Sequence, residues 1–83
     1  MKVQVRYFAS LREALGSAET VDVAAGSMVR SLRNQLIARG EPHASALARG
    51  RAIRSALDQT LCDESALLRD GSEIAFFPPV TGG

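Results

Sequence analysis

Glu73-Ile74-Ala75-Phe76-Phe77-Pro78-Pro79-Val80-Thr81-Gly82-Gly83 carries both the last strand and the end of the chain. Ile74, Phe76 and Phe77 favour a pleated backbone, and Pro78-Pro79 must stop it, because proline cannot donate to a ladder. Each proline also fixes φ and favours an extended chain, so the exit from the strand is stiff. Val80-Thr81 extends it, and Gly82-Gly83 ends it without side chains. Within the strand, Ile74 and Phe76 point one way, Ala75 and Phe77 the other.

Working outward, Lys2–Phe8 alternates polar and apolar residues, with Val3, Val5 and Tyr7 on one face. Phe8 has the opposite parity and joins Phe77 as an expected exposed aromatic near the tail. Ser10–Leu15 reads as one or two helical turns capped by Ser10 and ended by Gly16. Glu19–Val23 alternates again, and its short link to the first strand predicts an antiparallel neighbour. From Val29 to Arg39 a helical stripe is formed by Val29, Leu32, Leu36 and Ile37, with Ser27 as the expected N-cap. Arg30, Arg33, Asn34 and Arg39 fall mostly on the other side. Gly40 and Pro42 end this helix. Ala44–Arg49 is a short helix, Ala52–Leu57 a strand, Asp58-Gln59 a turn, Thr60–Cys62 a short strand, and Asp70-Gly71 a further turn.

One amphipathic helix covers one face of a four- or five-stranded sheet, which gives an α+β, two-layer fold. Pairing of the two terminal strands in the sheet centre would set the tail on a rigid element. The expected organisation is one domain, residues 1–79, followed by a flexible Gly-Gly tail, residues 80–83.

The chain has 83 residues, of which 46% are hydrophobic and 23% charged, the composition of a folded domain rather than a disordered segment. The formal net charge of +1 gives no electrostatic case for nucleic acid or an acidic membrane surface. Nine of the ten bases are arginine, and Lys2 is the one lysine. The basic segment Arg49–Arg54 and the carboxylates Asp63-Glu64 read as solvated loops. With a single cysteine, Cys62, and a single histidine, His43, no internal disulfide, metal site or nucleophile–base pair is expected. Scattered glycines lack phosphate-binding spacing. No segment reads as a signal peptide or a bilayer span, which fits a reducing cytoplasm.

Chemistry concentrates at the end of the chain. Four residues beyond Pro79 reach roughly 13–14 Å if extended. A Gly-Gly end can enter a channel too narrow for any Cβ. The reactive group there is the Gly83 carboxylate, a poor electrophile until another protein activates it.

Tyr7-Phe8-Ala9-Ser10-Leu11-Arg12-Glu13, Ala56-Leu57-Asp58-Gln59 and Asp70–Gly83 together resemble the small subunits of molybdopterin synthase. These are sulfur carriers with the ubiquitin-like β-grasp fold, a mixed sheet with one main helix on one face. The resemblance runs the whole length and is most specific at Asp70–Gly83. The family usually has Asn where Asp58 stands and Asp where Ser72 stands, both in turns. It implies that Gly83 is adenylated by an ATP-dependent activating enzyme, then converted to a thiocarboxylate by a persulfide donor. Gly82 would precede it in the channel. Phe8, Phe77, Pro78, Pro79, Val80 and Thr81 would bind the large synthase subunit, in a heterotetramer. The sulfur would pass to cyclic pyranopterin monophosphate. The chain would then be a sulfur-donating co-substrate without a permanently bound cofactor, ATP being used by its partner. A carrier for thiamine or cysteine synthesis, and a protein modifier joined to lysines, are the alternatives.

Overall fold

A computed structural model describes residues 1–79 of the chain. The elements in order are β1 (Lys2–Tyr7), α1 (Ser10–Leu15), β2 (Ala18–Asp22), α2 (Val29–Ile37), α3 (His43–Ala46), β3 (Arg54–Leu57), β4 (Thr60–Cys62) and β5 (Glu73–Phe77). The five strands form one mixed sheet in the order β2-β1-β5-β3-β4. β1 and β5 run parallel in its centre, with Val5 opposite Ile74 and Tyr7 opposite Phe76. The other three pairings are antiparallel.

Alternation decides which face is covered. Val3, Val5, Tyr7, Val21, Ile74 and Phe76 are buried, and they pack beneath Val29, Leu32 and Leu36 of α2. Complete burial of such side chains contributes roughly 1.5–3 kcal/mol each. α1 adds Leu11 to this core, and Ala46 and Leu47 cap it from α3 and the residue after it. Ile37, also on the α2 stripe, is only partly buried.

The β3–β4 hairpin turns on Asp58 and Gln59, both at positive φ (47° and 70°). A two-residue hairpin turn of this hand suits the twist of its strands, and Asp and Asn tolerate positive φ better than most side chains. The turn is tied to β5, because Asp58 Oδ1 accepts the Glu73 N–H at 2.9 Å.

Three expectations about local structure are corrected. Ser10 is the first residue of α1, and the cap position belongs to Ala9 at φ 53°. Ser27 does not cap α2; Met28 occupies that position. The first free N–H groups of this helix instead reach a distant segment: Val29 donates to the Ala66 carbonyl (3.0 Å) and Arg30 to the Glu64 carbonyl (2.9 Å). Ser27 takes part through its own carbonyl, which accepts the Leu68 N–H at 2.9 Å.

The third correction concerns Arg33, which is 4% exposed rather than solvated. Its Nε donates to the Leu47 carbonyl (2.9 Å), Nη2 to those of Ala48 (2.7 Å) and Arg51 (3.2 Å), and Nη1 to Glu64 Oε2 (2.7 Å). Arg49 also donates to Glu64 and to Asn34 Oδ1. The loop charges at Arg49 and Glu64 are thus structural partners, not idle surface groups. Partial burial raises the Glu64 pKa, but the hydrogen bonds from Arg49 and Arg33 outweigh this, and it ends below the ordinary range.

Arg33→Met should keep the volume but remove the donor shared by the Leu47, Ala48 and Arg51 carbonyls and Glu64 Oε2. The expected loss is ~2–4 kcal/mol, read from urea unfolding. Arg30→Met, at an exposed position of the same helix, should stay within about 0.5 kcal/mol. Equal effects at both positions would mean that the Arg33 bonds add nothing.

Candidate functional site

The parallel β1–β5 pair places Phe8 and Phe77 at one end of the sheet. The Phe8 N–H donates to the Phe76 carbonyl at 3.1 Å, which holds the residue after β1 beside the last residues of β5. Both aromatics lie on the face that α2 leaves open, as their parity requires. Phe8 is 41% exposed, and the Arg6 guanidinium lies 5.8 Å from its ring centroid. Such a cation over an exposed ring contributes roughly 0.5–1 kcal/mol.

Phe77 is half-buried rather than exposed. It lines an open groove of about 240 Å³ together with Arg54, Leu61 and Pro79. Arg54 stands opposite Phe77 in the β3–β5 register, so both project to this face. Leu61 arrives by the hairpin: it pairs with Ala56, which pairs with Ala75 across β5. At 63% exposure it is the most open large apolar side chain of the three that remain exposed among the described residues. Pro78 and Pro79 leave the strand at this groove, both half-buried.

Phe8, Phe77, Pro78 and Pro79 are therefore gathered at one end of the open face. Arg54 and Leu61 join them, though sequence reasoning did not single them out. The two-residue Asp58-Gln59 turn was the available signal, since it fixes which β4 residue faces which β3 residue. Val80, Thr81, Gly82 and Gly83 lie outside the described residues.

Behind the same end, on the covered face, Glu19 collects three donors. The Tyr7 hydroxyl donates to its Oε2 at 2.8 Å, His43 Nε2 stands 2.9 Å from the same oxygen, and Arg39 Nη1 donates to Oε1 at 2.5 Å. The Tyr7 ring stacks near Phe76, with centroids 6.5 Å apart, and meets the His43 ring edge-on at 6.3 Å. Burial and the bond to Glu19 hold the Tyr7 phenol far above its ordinary pKa. This cluster fastens β2, the residues after α2, and α3 to the end of β1. It supports the aromatic end of the sheet from beneath and does not reach the open face.

Among the described residues, no group of three His, Cys, Asp or Glu is placed to hold a metal ion. Nor is any helix of these residues long and apolar enough to cross a membrane. The groove is shallow and bears one cation, so it offers apolar contact rather than an enclosed reaction chamber.

Residues 5–83 match the ThiS family. The chain is 41% identical over 81 residues to the molybdopterin synthase sulfur carrier subunit of Escherichia coli, covering 98% of this chain and 99% of that protein. It is 32% identical over 97 residues to small archaeal modifier protein 3 of Haloferax volcanii, covering all of both. Among solved structures it is similar to a protein described as putative molybdopterin converting factor, subunit 1, from Pyrococcus furiosus. There the TM-score is 0.81 and the identity 26%, over 96% of this chain and 99% of that one. It is also similar to a chain in the complex of subunits 1 and 2 of molybdopterin-converting factor from Helicobacter pylori. That likeness has a TM-score of 0.69 and 26% identity, over the full length of both chains.

The Glu19 cluster gives a pH prediction. Partial burial raises the Glu19 pKa, but the bonds from Arg39, His43 and Tyr7 outweigh it and leave the group below its ordinary 4.5. A depressed folded-state pKa stabilises above the unfolded value and loses that stabilisation as pH falls through the folded value. Glu19→Gln should therefore be less stable than the parent at neutral pH. The gap should shrink as pH drops below 4.5, the ordinary value, measured by urea unfolding across an acid pH series. A gap independent of pH would assign the loss to packing alone.

Proposed function

The chain belongs to the ThiS family, and from that premise we propose that it is the sulfur carrier subunit of a molybdopterin synthase. The observation that carries the reading is the end-to-end match, which continues through Gly83. A β-grasp scaffold with a Gly-Gly end is of use to a carrier only if that end is kept and presented.

In this reading the Gly83 carboxylate is the reacting group. An activating enzyme adenylates it with ATP, and a persulfide donor then replaces AMP, leaving a C-terminal thiocarboxylate. The loaded carrier docks on the large synthase subunit, in a heterotetramer, and gives up its sulfur to cyclic pyranopterin monophosphate. The carrier contributes the sulfur and the large subunit the catalytic side chains. The cytoplasm, with its ATP and reducing poise, is the fitting compartment. The complex recorded for the Helicobacter pylori relative supports the partner assignment.

The open face supports the docking half of the cycle. Phe8, Leu61 and Phe77 offer apolar area at the end where Pro79 leads off the sheet. Pro78 and Pro79 stiffen that departure. Val80 and Thr81 span from the docked scaffold to the channel, and Gly82 lets the backbone approach the reacting centre without a Cβ.

The similarity to an archaeal modifier keeps one other reading in play, in which Gly83 is joined to lysines of target proteins. Both readings share adenylation and part at the acceptor. Incubation with the activating enzyme, ATP and a sulfur donor, followed by intact mass, separates them. The carrier reading expects one oxygen replaced by sulfur; a modifier would appear in mass-shifted targets.

Deleting Gly83, or adding one residue after it, should abolish loading while leaving the unfolding curve unchanged. Loading at the normal rate in either variant would overturn the tail reading. Phe77→Asp should weaken binding to the large subunit by ~2 kcal/mol or more, measured by calorimetry. Its stability should fall by only about 1 kcal/mol, as for a common point substitution. Unimpaired binding would remove the groove from the interface.

A further inference from the structure

The groove between Leu61 and Phe77 holds a charge that docking would cover. We propose, on the basis of the carrier reading, that the large synthase subunit seats on this groove with a carboxylate facing Arg54. The resulting ion pair selects the partner and sets the direction in which the carrier is received.

Arg54 opens β3 and stands directly opposite Phe77, the last residue of β5. It is exposed, and it is the one charged side chain among the residues that line the groove. Among the described residues its guanidinium meets no carboxylate; the ion pairs there fall on Arg6, Arg33, Arg39, His43 and Arg49.

In the free carrier, water solvates this cation. Closure of the groove changes its position. Leu61 and Phe77 gain from docking only if water leaves the space between them, and the guanidinium beside them then loses hydration as well. A partner that met the whole groove with apolar side chains would strand the charge, and that cost outweighs a few apolar contacts. Arginine cannot escape by giving up its proton, as a buried lysine can. An acceptor of opposite charge removes the cost. A planar carboxylate fits the fork of N–H donors with two parallel bonds.

The rest of the open face fixes the direction. Arg6, 5.8 Å from the Phe8 ring centroid, is a second cation towards the exit end. Acids gather at the other end, where Asp58 and Glu73 border a separate shallow hollow with Gln59. Glu73 and Phe77 begin and end β5, which separates the two ends by roughly 13 Å at the strand rise. Arg6 leans towards Glu73 Oε2 at 3.9 Å, but the side chains are 51% and 36% exposed, so this loose pair neutralises neither end. A complementary partner is acidic where it meets Arg54 and carries no acid over Asp58 and Glu73. Turned end for end, it would set like charges together. A second copy of this chain matches less well. Rotated to bring its own Asp58 and Glu73 to Arg54, it would lay those acids on Leu61 and Phe77.

The test is calorimetry of this carrier with the large subunit of its own organism, over a series of salt concentrations. Arg54→Leu should weaken binding by about tenfold or more and flatten its salt dependence, with the urea unfolding midpoint unchanged. Arg54→Glu should bind more weakly still, and reversal of one acidic residue of the large subunit to arginine should restore it. Binding by Arg54→Leu as tight as the parent's, or tighter, would overturn the inference, because the groove would then prefer an apolar occupant. Failure of every such reversal to rescue Arg54→Glu would also overturn it. Self-association of the parent in sedimentation, abolished by Arg54→Glu, would assign the cation to a second copy and overturn the choice of partner. Parent binding with an indifferent Arg54 sinks this inference alone, whereas no binding by the parent sinks the carrier reading with it.

Discussion

The parallel contact between β1 and β5 is the constraint on which the rest of the molecule depends. It joins the two ends of the described chain at the sheet centre, with Gln4 opposite Glu73 and Tyr7 opposite Phe76. Alternation on these two strands supplies the buried floor under α2 from Val3, Val5, Tyr7, Ile74 and Phe76. The same alternation sends Arg6, Phe8, Ala75 and Phe77 to the open face. One pairing thus sets the core, the docking face and the point of departure of Pro78-Pro79. β2 extends the sheet on one side and the β3–β4 hairpin on the other, and Leu61 reaches the open face only because the hairpin register follows from β5.

Most of this was legible where one rule acts alone. Two-residue alternation marked β1, β2 and β5, and the spacing of Val29, Leu32 and Leu36 marked the buried stripe of α2. The α+β class, a sheet of four or five strands and the terminal strands in its centre follow from those patterns. So does the gathering of Phe8, Phe77, Pro78 and Pro79 at one end.

What was not legible depends on contacts between distant segments. Arg33 lies four residues from both Val29 and Ile37, so its position belongs to the apolar stripe, but its charge argued for solvent. Only a loop offering the carbonyls of Leu47, Ala48 and Arg51, with Glu64 beside it, makes burial affordable. Ser27 was the local choice for a cap, yet the backbone of Glu64 and Ala66 fills that need from another part of the chain. Ala9 likewise takes the cap position before Ser10, at a positive φ that alanine adopts rarely. Phe77 is narrower in exposure than its parity suggested, because Leu61 and Arg54 flank it. At Arg33, Ser27 and Phe77 a local preference yielded to a tertiary partner.

The central pair also governs when the molecule can form. Lys2 is hydrogen-bonded to Asp70, 68 residues further on, and closing a loop of that length before any reward costs roughly 3–4 kcal/mol of chain entropy. During synthesis the first strand emerges early and has only β2 as a neighbour until residues 73–77 leave the ribosome. Its inner edge stays open until then, and the core beneath α2 lacks Ile74 and Phe76. The sheet closes only when the strand that leads into the tail has itself been delivered. A product cut short before β5 cannot display a folded docking face, so a partner that recognises the face is offered only chains translated through Phe77.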